Sequence, residues 1–231
     1  MMKKRKLLII GRAPIPGEAK KRLAADVGEK WAHRYYLAML EDFFQNLYSH
    51  QNQFHEIILS IDPYNEVTQD YFLDLLERHE IRDFELTKQH EGPFFERLHK
   101  LLEIYKDESS SIHLTGTDVP NIDYSSICLA ELQNTNYLGP DRDGGFYYGI
   151  FNKNAFNTFY KFVPSSSELV FNELFTQIEA CKSLEISSDL DNLRDISVLY
   201  EAFSAPEHLN FVHSSYLLEQ KRLLSGAERR A

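Results

Sequence analysis

Short apolar runs recur along this chain, separated by longer stretches in which apolar residues return every three or four positions. The runs predict strands at residues 6–11, 56–61, 84–88, 111–115, 137–138 and 146–151. Between the first two, Trp31, Tyr35, Ala38, Met39, Phe43 and Leu47 form one stripe broken by Asp42, which predicts a long amphipathic helix. Further helices are expected over 67–78, where Tyr71, Phe72, Leu75 and Leu76 share a face, and over 94–105. Another begins at Asp123, with Ile127, Ala130 and Leu132 inside it. Strands alternating with helices predict an α/β fold, a mostly parallel central sheet with helices on both faces.

After Phe151 the alternation becomes irregular. The pattern gives a turn-rich stretch at 164–167, a helix over 170–178, a short strand near 184–186 and a helix after Asp191. With 231 residues and 27.0 kDa the chain has the size of one large domain, expected over 1–204. The remainder, 205–231, reads as a helical tail whose amphipathic segment 216–224 would pack on the domain or on a partner, a homodimer being one such arrangement.

Charge narrows the function classes. The formal net charge of −10, from 35 acidic and 25 basic side chains, disfavours a nucleic-acid partner. A phosphorylated small molecule then requires local positive charge or a metal. The two cysteines, Cys128 and Cys181, lack zinc-type or disulfide-type spacing, which suits a reducing cytoplasm. No stretch approaches the ~20 apolar residues of a membrane span. The nine histidines show no HxxxH or HExxH spacing, so none is assigned to a metal, although His90 follows a predicted strand.

Four segments could carry chemistry. RAPIPGEAKKRL follows the first strand, where open α/β sheets place phosphates, and it gathers Arg12, Lys20, Lys21 and Arg22. It fits an anion site or a solvated basic turn. In IHLTGTDVPNID, an apolar strand ends at Gly116, Thr117 and Asp118; that carboxylate could hold Mg²⁺ or Mn²⁺ on a phosphate, or cap a turn before the next helix. In LGPDRDGGFYYGIF, Asp143, Gly144 and Gly145 could approach a ligand or simply form a tight turn. In SDLDNLRDI, Asp189 and Asp191 alternate along an extended backbone and could share a cation; otherwise Asp191 caps the following helix and Asp195 is a surface charge.

Taken in order, these segments resemble a bacterial family of glycosyltransferase-A-like proteins, related to the nucleotidyltransferases that build molybdopterin guanine dinucleotide and guanylylated phospholactate. The family pattern of KAPVPGRVKTRL, QxxGDLGER, GSDxP, GPAxDGGYYLIG and DVDTPEDL stands here as RAPIPGEAKKRL, KQHEGPFFERL, GTDVP, GPDRDGGFYYGIF and DLDNLRDI, over roughly residues 6 to 196. The resemblance implies a GT-A (nucleotide-diphospho-sugar transferase) fold. It implies Gly11, Arg12, Ala13, Lys20, Arg22, Gly116 and Thr117 around the nucleotide, and Asp118 and Asp143 as catalytic residues. Gly144, Gly145 and Arg97 fall on the acceptor side, and Asp118, Asp189 and Asp191 on a Mg²⁺ or Mn²⁺ ion. Two positions depart from the pattern: Pro93 to Phe95 replace the acidic and glycine positions of GDLGER, and Lys21 stands where threonine is usual.

The function expected on these grounds is metal-dependent transfer of a glycosyl group from a nucleotide-diphospho-sugar to a small-molecule acceptor. Nucleotidyl transfer to a phosphorylated small molecule is the alternative, and a catalytically silent binding subunit is another.

Overall fold

The computed structural model describes residues 5–106, 111–131, 135–187 and 189–196. The tail from residue 205, its segment 216–224 and Ser188 of the late acidic motif lie outside the described residues. Strands β1 (Arg5–Arg12), β2 (Glu56–Asp62), β3 (Phe84–Lys88) and β4 (Ser111–Gly116) each lie within two residues of their predicted bounds. With β5 (Asn136–Pro140), β6 (Phe146–Asn152) and β7 (Cys181–Ser183) they form one sheet in the order β3-β2-β1-β4-β6-β5-β7. Strands β1 to β4 pair in parallel, β6 runs antiparallel to both β4 and β5, and β7 is parallel to β5.

The continuous apolar runs follow from burial on both faces. On β1, Leu7 and Ile9 enter one core with α2 (Glu29–His50) and α3 (Glu66–Arg78), while Leu8 enters a second core with α4 (Phe94–Tyr105), α6 (Lys153–Lys161) and α7 (Val170–Gln177). Side chains such as Phe43, Phe72 and Phe159 are wholly buried, and each such burial contributes about 1.5–3 kcal/mol. The segment from Asp123 forms α5 (Tyr124–Glu131), capped by Asp123, whose Oδ1 accepts from the backbone N–H of Ser126 at 3.1 Å.

Three expectations need correction. The stretch after Phe151 holds the helix α6, whose Ala155, Phe156 and Phe159 are buried at helical spacing. The late strand is Cys181–Ser183 rather than 184–186, because the ladder with β5 pairs Asn136 with Cys181 and Leu138 with Ser183. A short helix α1 (Lys21–Val27) also stands in the basic loop; only Leu23 in it is buried, so its sequence shows no stripe.

Helices α2 and α3 are tied by Glu41, which accepts from Arg78 at 2.8 Å and lies 2.7 Å from the His79 ring nitrogen. Partial burial alone would raise the Glu41 carboxyl, but the hydrogen bonds from Arg78 and His79 outweigh it and hold it below its ordinary range. A depressed carboxylate contributes stability that is complete above the unfolded value and lost as pH falls through the folded one. Between about pH 5 and about pH 3 the stability margin of wild type over Glu41→Gln is therefore expected to shrink toward zero, read from urea midpoints.

Candidate functional site

The chain order of the sheet locates the site. From β1 the chain moves outward through β2 to β3, then returns to place β4 on the other side of β1. The loops leaving β1 and β4 thus diverge, opening a crevice at the carboxyl ends of these two strands. There lie Arg12 to Lys20 after β1, and Gly116 to Asp118 after β4.

Buried polar contacts fix both loops. The Tyr36 hydroxyl on α2 donates to the Arg12 carbonyl at 2.7 Å and lies 3.2 Å from the Thr117 hydroxyl. Asn46, also on α2, donates to the carbonyls of Pro120 and Ile122 at 3.2 and 2.8 Å. The Thr117 N–H continues the β1–β4 ladder to the Ile10 carbonyl at 3.1 Å. Buried Gln89, just past β3, donates to the carbonyls of Gly11 at 2.9 Å and Ser60 at 3.1 Å, and its own oxygen accepts from Arg97 at 2.6 Å. Gln89 therefore aims Arg97 across the crevice.

At the centre is Lys20. Its side chain is 3 % exposed, and its ammonium lies 2.8 Å from Asp118 and 3.0 Å from Asp191. Arg22 reaches the other oxygen of Asp191. The Lys20 backbone is left-handed, with φ 52° and ψ 44°, and its carbonyl accepts the Ala24 N–H that opens α1. Burial would lower the Lys20 pKa, but Asp118 and Asp191 outweigh it and raise the ammonium above its ordinary value. Asp191 is correspondingly held low: burial opposes ionisation, and Lys20 and Arg22 overcome it.

Asp189 faces the opposite situation. Burial, then the charges of Asp118 and Asp141, push its carboxyl well above the ordinary range, and Asp141 is itself raised by burial and by Asp143. The late acidic segment is docked here by the Leu190 N–H on the Asp118 carbonyl at 3.2 Å and the Asp189 N–H on Asp141 at 3.2 Å. Among the described residues no group of three or more His, Cys, Asp or Glu side chains is set to hold a metal ion. Two hard carboxylates nonetheless suit Mg²⁺ or Mn²⁺ when phosphate oxygens and waters complete the shell, and the crowding that raises Asp189 beside Asp118 is the kind a cation relieves.

Two cavities formed by described residues open into the crevice and meet at Asp118. The larger, of about 440 Å³, is lined by Arg12, Lys20, Lys21, Arg22 and Arg97, with Gly11, Thr117, Asp118 and Asp191. The smaller, of about 180 Å³, shares Ile10, Phe94 and Asp118 with it and adds Gly116, Tyr147 and Asp189. Ala13 is wholly buried behind the β1 loop, its N–H donating to the Asp62 carbonyl at 3.0 Å.

The residues singled out in the sequence make the following contacts. Asp118 turns to Lys20, while Asp123 caps α5. Asp191 does not cap the turn at residues 193–196; Asn192 does, its side chain accepting from the N–H groups of Arg194 and Asp195 at 2.9 and 3.1 Å. Asp195 is no mere surface charge, since it accepts from the N–H groups of Asp191 and Asn192 at 3.0 Å. Asp191 pairs with Lys20 and Arg22, and Asp189 lies close enough to Asp118 and Asp191 to feel the charge of both. Arg97 lies with the cations of the larger cavity, whereas Asp143, Gly144 and Gly145 line neither cavity. Instead the Asp143 carboxylate accepts from the Gly145 N–H at 3.0 Å and closes a turn.

The sequence reading missed Tyr36 and Gln89. Tyr36 adjoins the apolar stripe and reads as core; Gln89 stands in KQHEGPFFERL beside His90, which lines only a narrow cleft next to it.

No protein-family model and no curated protein matches the chain. Solved structures do. One is a protein of Desulfovibrio desulfuricans G20, provisionally named a nucleotide-diphospho-sugar transferase, with a TM-score of 0.77 and 21% identity over 99% of this chain and 98% of that one. Another is 4-diphosphocytidyl-2C-methyl-D-erythritol synthase of Anaerococcus prevotii DSM 20548, with a TM-score of 0.54 and 15% identity over 87% and 97%. A third is the Mycobacterium tuberculosis H37Rv protein Rv0371c in complex with manganese, with a TM-score of 0.51 and 12% identity over 86% and 99%. At these identities the likeness concerns architecture, and the architecture of this chain is the nucleotide-diphospho-sugar transferase fold.

Proposed function

We propose that this chain is a metal-dependent transferase that binds a nucleotide-diphospho-sugar in the larger cavity and transfers its glycosyl group to a small-molecule acceptor. One observation carries the reading: in a protein of net charge −10, five cations converge on one crevice at the switch point of the sheet, beside Asp118. Arg12, Lys21, Arg22 and Arg97 would hold the diphosphate oxygens, with Lys20 moving between them and its carboxylates. Asp118 and Asp189 would hold Mg²⁺ or Mn²⁺, which supplies charge stabilisation for the diphosphate as it leaves. Manganese bound to one protein of the same fold supports this choice of cation. The fixed loops orient the reacting centre near Asp118, so binding energy is spent on alignment rather than on ordering the chain.

Nucleotidyl transfer to a phosphorylated molecule is the second reading, favoured by the likeness to 4-diphosphocytidyl-2C-methyl-D-erythritol synthase. It would release pyrophosphate from a nucleoside triphosphate, whereas glycosyl transfer releases a nucleoside diphosphate. We place the activity in a reducing cytoplasm on the separation of Cys128 and Cys181; among the described residues no helix is long and apolar enough to cross a membrane.

The test is thermal denaturation with a panel of nucleoside diphosphates and nucleotide sugars in the presence of Mn²⁺. A ligand at about 100 times its Kd stabilises by about 2.7 kcal/mol. That gain is expected for at least one nucleotide and should vanish in Asp118→Ala. If no nucleotide stabilises the wild type, or the gain survives in Asp118→Ala, the reading fails.

A further inference from the structure

We infer that the smaller cavity receives an uncharged, hydroxyl-bearing group with an apolar face, and excludes a phosphorylated one. The inference rests on the proposed nucleotide site and names the chemistry of the group brought to its reacting centre. It comes from how charge is divided between two cavities that meet at Asp118. All five cations of the crevice line the larger one. Among the described residues lining the smaller one there is no Lys, Arg or His.

The wall of the smaller cavity is built from Ile10, Leu98, Leu114, Phe94, Phe146 and Tyr147. Its ionisable groups besides Tyr147 are the carboxyls of Asp118 and Asp189, with Asp141 behind them on the Asp189 N–H. Its remaining hydroxyl, on Thr115, already donates to the Tyr147 carbonyl at 2.9 Å. Asp118 is already paired with Lys20 from the larger cavity and the Thr115 hydroxyl is already committed, so no cationic donor is offered to a phosphate here. A phosphate entering here would lose its hydration against an apolar wall with no cation lining it to compensate. A divalent cation held by Asp118 and Asp189 would have its two charges balanced by those two carboxylates.

A group carrying hydroxyls suits the same wall. Its O–H groups donate to the carboxyls while an apolar face lies on the aromatic side chains. At about 180 Å³ the cavity is smaller than the ~300 Å³ at which pockets begin to hold drug-sized ligands, so it takes one small group. Two sources offer that chemistry: the sugar of the nucleotide donor, or a separate acceptor alcohol. In both cases the phosphorylated partner required for nucleotidyl transfer is disfavoured.

The test uses the full chain and a matched pair of probes, phenyl β-glucoside and its 6-phosphate, with binding read by ligand-detected NMR with and without Mn²⁺ and counted as the part lost in Tyr147→Ala, since the cations of the larger cavity would also take up phosphate. The uncharged probe is expected to bind at least roughly tenfold more tightly. Tyr147→Ala should abolish that binding. Phe94→Lys, at a side chain already 47% exposed, should narrow or invert the preference by adding a cation at the mouth. UDP-glucose displacing the uncharged probe where UDP does not would assign the cavity to the donor sugar; the probe persisting beside both would assign it to the acceptor.

Equal or tighter Tyr147-dependent binding of the phosphorylated probe would overturn the inference. So would binding of neither probe at millimolar concentration, or a preference untouched by both substitutions. Because the probes need no nucleotide, loss of nucleotide binding alone would sink the transferase reading and leave this charge preference standing.

Discussion

Lys20→Met should lower the thermal midpoint by roughly 6 to 12 °C, the equivalent of about 3 kcal/mol for a domain of this size. The substitution keeps most of the buried aliphatic stem but removes an ammonium that two carboxylates share. Asp191 would retain Arg22, and Asp118 is 41% exposed and can recruit water, which puts the cost at the lower end for a broken buried pair. Asp189, already raised by burial and by its acidic neighbours, would lose a nearby cation that lowers it. Mn²⁺ should recover part of the loss, because the variant leaves Asp118 without its internal counter-ion. Nucleotide-dependent stabilisation should fall sharply as well. A calorimetric scan with and without Mn²⁺ reads all three, and a midpoint unchanged from wild type would show that Lys20 does not hold the acidic cluster together.

Gly144→Ala should be equally costly for a different reason. Gly144 has φ +93°, and an added Cβ would lie 2.1 Å from the Glu168 carbonyl oxygen, a backbone atom that no rotamer change can move. The Gly144 carbonyl also accepts from the Phe171 N–H at 2.9 Å, so the turn anchors the start of α7. Left-handed strain and the clash together are expected to cost about 3 kcal/mol in a urea titration. Nucleotide affinity of the protein that remains folded should stay unchanged, since this glycine lines neither cavity. A large loss of affinity with intact stability would instead return Asp143-Gly144-Gly145 to the ligand site.

The inner strands of the parallel half were legible because strands buried on both faces are nearly continuous apolar runs, as LLII and, with its single Ser60, IILSI are. The late region was harder. Partly buried Cys181 and exposed Lys182 and Ser183 form an edge strand, so no apolar run marks it, and the more apolar Leu184 to Ile186 drew the prediction. Helix α6 does carry Phe156 and Phe159 at the right spacing, but Asn154, Asn157 and Thr158 weaken its helical signal.

The basic loop and Asp118, singled out by residue type, lie together at one sheet edge because strand order puts the ends of β1 and β4 side by side. What the sequence could not convey was pairing. That Lys20 sits between Asp118 and Asp191, that Asn192 rather than Asp191 caps its turn, and that Gln89 aims Arg97 all depend on contacts between distant segments. The division of charge between two neighbouring cavities is of the same kind.

The most direct test is a crystal of the full chain soaked with Mn²⁺ and the nucleotide that gives the largest thermal shift, with manganese located by anomalous scattering. The account predicts a manganese ion bound by a carboxylate oxygen of Asp118, and a diphosphate in the larger cavity against Arg12, Arg22 and Arg97. A nucleotide bound elsewhere, or manganese held away from Asp118 with Lys20 still seated between Asp118 and Asp191, would contradict it.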